Sequence, residues 1–147
     1  MATQTNPGLS AKASVNIKAP ASRVWEALTD PSLIKKYFFG TEAVSDWKTG
    51  SPLQFKGKWE GKEYRDKGTV LRSEKGKILQ YNYLSSFSEL EDLPENYAII
   101  TYELKPADGG TALSVTQDNI RSEKEYETCE QNWKMVLNAM KELLEAR

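Results

Sequence analysis

The sequence contains no histidine. Its absence removes the Ser-His and Cys-His nucleophile pairs, and with a single cysteine, Cys129, it leaves no His or Cys cluster able to hold zinc, copper or haem. One cysteine also excludes an internal disulfide, and the place of Cys129 on an apolar stripe marks it as a small buried hydrophobe. Metal sites built from oxygen ligands alone stay open, although no Asp-rich loop of calcium-binding type is present. No run of apolar residues reaches the length of a membrane span, and the polar first ten residues lack the apolar segment of a secretion signal. Charge of one sign is lacking too, since 20 basic and 21 acidic residues leave a net charge of -1, too small a field to draw the chain to nucleic acid. Glycine-rich phosphate loops are absent as well. These absences predict a cytoplasmic protein with no metal, no cofactor, no nucleic acid partner and no membrane insertion.

What is present is periodicity. Residues 1–9 show none and are expected to form a tail, and residues 10–147 are of a length for one domain with a sizeable core. Ala11, Ala13, Val15 and Ile17 alternate with polar neighbours as in a half-buried strand, which Pro20 stops. Two short helices follow, one carrying Val24, Trp25 and Leu28, the other opened by Asp30 as cap with Pro31 in its first position and closed near Gly40. From there the pattern is strand and turn: 43–47, then Leu53, Phe55, Gly57 and Trp59, then 63–73, 78–84, 97–105 and 111–119. The interval 85–95 breaks the rhythm with Glu89, Glu91, Asp92 and Glu95 and no basic residue, and is a solvated connection, a lid or a partner surface.

The last stretch, 122–147, organises the rest. Tyr126, Cys129, Trp133, Val136, Leu137, Met140, Leu143 and Leu144 recur at steps of three and four, and Ser122 with Glu125 has capping-box spacing. Such a helix is about 36 Å long and needs a partner surface of that length. Its uncharged arc is widened by Thr128, Asn132, Met135 and Ala139, as suits a helix gripped on more than one side.

Aromatic side chains crowd the inferred inner faces, and Tyr and Trp carry polar tips that need partners when buried. A cavity between sheet and helix would supply them, with Trp25, Tyr37, Phe38, Phe55, Trp59, Tyr64, Tyr81, Tyr83 and Trp133 as walls. Asp66 and Gln117 break the apolar alternation and are the candidate polar anchors; the alternative for Asp66 is a structural hydrogen bond. No catalytic residue is assigned, because one carboxylate without a second acid, a cation or a metal makes a thin active site. Nine basic residues against four acidic ones lie between Lys48 and Lys77, mostly at outward strand positions, and read as a solvated outer face.

Residues 17–31 (IKAPASRVWEALTDP), 34–38 (IKKYF) and 46–50 (DWKTG) resemble the opening of the SRPBCC (START and polyketide cyclase-like) superfamily. More narrowly, they resemble the branch related to the C-terminal domain of the activator of the heat-shock 90 chaperone ATPase. WEG at 59–61, DKGTV at 66–70, PEN at 94–96 and GTAL at 110–113 continue the likeness. The resemblance implies an α+β helix-grip fold, a curved antiparallel sheet of six to seven strands around the long C-terminal helix with two short helices after the first strand. It implies a pocket for a small hydrophobic molecule (aromatic, lipid or polyketide-like). It also raises a chaperone contact through 85–95 or the basic sheet face, and a cyclase or aromatase role in which Asp66 or a tyrosine would act as acid or base.

Overall fold

The computed structural model describes residues 9–38, 40–59, 61–84, 91–120 and 122–145, with the side chains of Trp59 and Pro94 outside the description. The expected tail thus falls outside except for its last residue. Strand β1 (Leu9–Ile17) is followed by helices α1 (Ala21–Thr29) and α2 (Pro31–Tyr37). Strands β2 (Glu42–Val44), β3 (Pro52–Trp59), β4 (Lys62–Glu74), β5 (Ile78–Tyr83), β6 (Ala98–Ala107) and β7 (Gly110–Ile120) come next, and α3 (Glu123–Glu145) closes the chain. The seven strands form one antiparallel sheet in the order β1-β7-β6-β5-β4-β3-β2, a meander with the first strand brought round to the far edge beside β7.

Local chemistry sets most boundaries. Asp30 caps α2 by accepting from the Ser32 amide at 2.9 Å, and Gly40, at φ 79°, donates back to the Lys35 carbonyl at 3.1 Å, a bond of the Schellman type. Ser122 accepts from the Glu125 amide at 3.1 Å, one half of the expected capping box. The expected strand over 43–47 is cut short after Val44. Ser45 accepts from the Trp47 amide and Asp46 from the Lys48 amide, each side chain closing a local turn that competes with the ladder, and Trp47 takes φ 62°.

Two irregularities shape the sheet. In β7, Asn119 at φ 57° is the extra residue opposite Leu9 to Ala11 of β1; its Nδ2 donates to the carbonyls of Glu95 and Tyr97, and the bulge returns Ile120 to the buried face. In β4, the pairing with β5 shifts between Val70 and Arg72. Beyond it Val70 pairs with Tyr81, and among the described residues the next bridge joins Lys67 to Leu84, just past β5, with the Asn82 side chain accepting from the Thr69 amide in between.

The concave face carries Ala13, Ile17, Leu53, Phe55, Val70, Leu79, Tyr81, Ile100, Tyr102, Leu113 and Val115 into one core with Val24, Trp25, Leu28, Ile34 and the buried stripe of α3. The second half of that stripe is the better covered: Trp133, Val136, Leu137, Met140 and Leu144 are buried and Leu143 is partly so, whereas in the first half Tyr126 and Cys129 are only half-buried. The last turns of α3 are tied to β1, with Lys141 Nζ donating to the Asn16 carbonyl and Glu145 accepting from the Lys18 amide. The first turns face β3 to β5 across open space, which positions the site.

Burial of tyrosines has a consequence for alkaline stability. Desolvation pushes the hydroxyls of Tyr37, Tyr81 and Tyr102 above their ordinary value of 10.0. Below that value both folded and unfolded chains keep these protons. Above it the unfolded chain releases protons that the core retains, so stability falls as pH rises. Denaturation midpoints measured between pH 8 and 11 should therefore drop beyond pH 10, and the slope should flatten in Tyr81→Phe; an unchanged slope in that variant would separate Tyr81 from the effect.

Candidate ligand cavity

Between the concave sheet and the first half of α3 lies an open cavity of about 710 Å³, within the range of small-molecule sites. Its inner wall is built by strand residues that the two-residue period sends to the same side: Phe55 from β3, Tyr64 and Asp66 from β4, Tyr81 and Tyr83 from β5, Ile100 from β6 and Gln117 from β7. Phe38, at the end of α2, and Thr41 close one end. Lys124, Glu125, Thr128, Cys129, Asn132, Trp133, Met135 and Val136 of α3 form the remaining wall and the mouth. The steps of three and four that make a helix stripe here place one face of α3 along the opening.

Aromatic rings hold the wall in place. Phe38 stacks on Phe55 at 6.1 Å between centroids and meets Trp133 edge-on at 6.2 Å; Phe55 lies 5.8 Å from Tyr81. Tyr81 lies 6.4 Å from Tyr102, and Tyr102 meets Trp133 edge-on at 5.9 Å, so these five rings close a circuit. Tilted and edge-to-face pairs of this kind each contribute about 0.5–1.5 kcal/mol beyond their area.

The polar groups are paired with one another. Trp133 Nε1 donates to Gln117 Oε1 at 2.9 Å. The indole is donor-only, so the acceptor oxygen of Gln117 must be the atom turned toward it. Tyr83 donates to Asp66 Oδ2, and Tyr64 shares a hydrogen bond with Thr41. Tyr64 also lies over Gly57, its partner across the ladder, where a Cβ would come within 2.5 Å of the hydroxyl. Asp66 is 6% exposed, and the structural hydrogen bond considered for it is present while it also lines the cavity.

Of the candidate residues, the structure brings Phe38, Phe55, Tyr64, Asp66, Tyr81, Tyr83, Gln117 and Trp133 together around one space. It places Trp25 and Tyr37 elsewhere. Trp25 is packed in the core of α1, and Tyr37 is buried with its hydroxyl donating to the Ala27 carbonyl at 2.9 Å, because both sit on the helix faces turned toward the core. The side chain of Trp59 lies outside the described residues. Lining residues that the aromatic criterion passed over are Thr41, Ile100 and the first-half residues of α3. The uncharged flank formed by Thr128, Asn132 and Met135 was the signal for the latter. Among the described residues no cluster of His, Cys, Asp and Glu could hold a metal ion.

Cys129 provides a reporter inside the wall. Desolvation, the largest influence, pushes its thiol up from 9.0 to about 11. Two pH units leave roughly a hundredfold less thiolate than in a free cysteine at neutral pH. Alkylation by iodoacetamide at pH 7.5, followed by mass spectrometry, should be slower than that of glutathione by about that factor and slower again when the cavity is filled; a rate equal to glutathione's would contradict this placement.

The sequence of residues 18–145 matches the family model described as activator of Hsp90 ATPase homolog 1-like protein. No curated protein matches the chain significantly. Among solved structures, ChR145 from Cytophaga hutchinsonii is 45% identical, with 96% of this chain and 97% of that one covered and a TM-score of 0.84. CalU16 from Micromonospora echinospora, 22% identical over 94% of this chain and 77% of that one, has a TM-score of 0.73. The Aha1 dimer from Colwellia psychrerythraea, 19% identical over 93% and 96% of the two chains, likewise has a TM-score of 0.73. At those lower identities the likeness is one of fold. The curved seven-stranded sheet around α3 is the SRPBCC helix-grip, and with a family match spanning nearly its whole length the chain belongs to the activator of Hsp90 ATPase homolog 1-like family.

Proposed function

We propose that this protein binds a small hydrophobic molecule, aromatic, lipid or polyketide-like, in the cavity between the sheet and the first half of α3. The observation that carries this reading is the cavity itself: about 710 Å³ of space walled by Phe38, Phe55, Tyr81, Tyr83, Ile100, Trp133 and Val136, with a few fixed polar groups among them. A water-filled apolar space of this size costs free energy that an apolar ligand recovers at roughly 25 cal/mol per Å² covered. Pairing Asp66 with Tyr83 and Gln117 with Trp133 holds these side chains in place before a ligand arrives, which lowers the ordering cost of binding.

The test is a titration of intrinsic tryptophan fluorescence with flavone, naphthalene derivatives and dodecanoate, in the wild type and in Trp133→Phe. A saturable one-to-one response that loses most of its amplitude in the variant is the expected result. No response to any of them would refute the reading.

Contact with a chaperone is the second reading, favoured by the family match. The described end of the acidic stretch presents exposed Glu91, Asp92 and Glu95. It is fastened to the sheet by Lys67 pairing with Asp92 and by Tyr97 donating to the same carboxylate. Capture of Hsp90 that weakens with salt and in Glu91→Lys/Glu95→Lys would support it; capture unchanged by both would remove this surface.

A further inference from the structure

The segment between β2 and β3 holds a buried polar group without a partner. Among the described residues, Trp47 Nε1 is a buried donor that makes no hydrogen bond. Trp47 carries a second departure, since at φ 62° its backbone lies in the left-handed region that bulky side chains rarely enter. That conformation is held from both sides: the Ser45 hydroxyl accepts from the Trp47 amide at 3.0 Å, and Gly50 donates to the Val70 carbonyl of β4 at 2.7 Å. A strained backbone and an unmet donor at one residue both call for an explanation, and such features cluster where ligands are held. The indole borders a space of about 10 Å³, room for a single oxygen atom. Phe38, Phe55 and Tyr81 line both this space and the main cavity, so the two adjoin across aromatic rings. Tyr37 lines it too, but its hydroxyl is already committed to the Ala27 carbonyl.

We infer that this small space is the inner end of the ligand site and takes a carbonyl oxygen, with Trp47 Nε1 as the donor that recognises it. This rests on the cavity being a ligand site. An indole N–H donates and cannot accept, so the group it lacks is an acceptor, and the space admits one of atomic size. The ligand class that fits is a ring-containing ketone, its rings against Phe38, Phe55 and Tyr81 and its oxygen directed between them toward Trp47. A hydrocarbon of the same shape leaves the donor unmet, as does a fatty acid entering methyl end first. The rival occupant is a water bridging Trp47 to the hydroxyl of Tyr81 or Tyr102, which also line the space.

The experiment compares 1-tetralone with tetralin, the same ring system without the oxygen, by isothermal titration calorimetry and by NMR of the Trp47 indole N–H, assigned through its own ring and Cβ protons. In the wild type, tetralone should move that resonance downfield saturably, as a new hydrogen bond does, and tetralin should not. The affinity ratio of tetralone to tetralin should fall about threefold to tenfold in Trp47→Phe, which keeps an aromatic ring and removes the donor. Because the indole shift is read in the wild type, the inference is testable even if the variant folds poorly. Binding of both compounds with the indole resonance unmoved, or with the ratio unchanged in Trp47→Phe, would overturn the role of Trp47 and leave the cavity reading standing. Cross-relaxation from water to the indole proton that persists with tetralone bound would give the space to a bridging water and overturn it likewise. Binding of neither compound would overturn this inference, and the fluorescence titration decides the cavity reading separately.

Discussion

Replacing Trp133 with alanine should lower stability by about 3–5 kcal/mol, the cost of truncating a buried large aromatic. Trp133 is 6% exposed and joins three parts of the molecule: α3, which carries it; Phe38 at the end of α2, met edge-on; and Tyr102 of β6, met edge-on from the other side. Its indole N–H also orients Gln117. The same side chain marks the boundary along α3 between the closed core and the open cavity, so its loss should also merge cavity and core and weaken ligand binding. Trp133→Phe isolates the hydrogen bond, since most of the packing is kept, and should cost about 1–2 kcal/mol. Urea denaturation of both variants is the check. A loss below 1 kcal/mol in the alanine variant would mean that the ring circuit does not brace α3.

Gly68→Ala should cost about 3 kcal/mol or more, although it adds a single methyl group. A Cβ at Gly68 would lie 1.8 Å from the Asn82 carbonyl oxygen and 2.8 Å from its carbon, and both atoms are backbone, so no rotamer change relieves the overlap. The close approach exists because β4 bends here. Regular pairing with β5 ends at Val70, the Asn82 side chain takes the Thr69 amide, and Lys67 with Leu84 makes one more bridge. This bend carries the first half of β4, with β3 and β2, around toward α3 and sets Asp66 in the cavity wall. The variant is expected to lose both stability and affinity for ligands of the cavity. Thermal unfolding followed by circular dichroism measures the first, and a melting temperature within two degrees of wild type would contradict the bend.

Much of this architecture was legible because it rests on local periodicity. The α3 stripe, the Asp30 and Ser122 caps, the Gly40 stop and the alternation of β3 and β7 are short-range patterns with one physical solution each. Choosing the helix-grip over another α+β arrangement came from family resemblance, since period-two strands say which face is apolar and not how far a sheet curls. What could not be read was set by contacts distant in sequence. The end of β2 at Val44 turns on side-chain bonds to the backbone after it, and the φ of Asn119 on carbonyls of a separate segment. Nothing in the sequence separates cavity wall from core among the aromatics. Tyr37 on its helix and Tyr64 on its strand were both candidate walls, yet one donates to a buried helix carbonyl and the other lines the open space.

The central claim is that this space is a ligand site, and the Trp133 indole is placed to report on it. Two-dimensional NMR of uniformly labelled protein titrated with 2-naphthol should shift the Trp133 Nε1–H resonance saturably. Amides of Phe55, Tyr83 and Gln117 should move with it, while those of Val44 and Leu71, whose side chains are exposed, stay still. A titration that leaves the Trp133 indole resonance in place while shifting only such exposed positions would contradict the account.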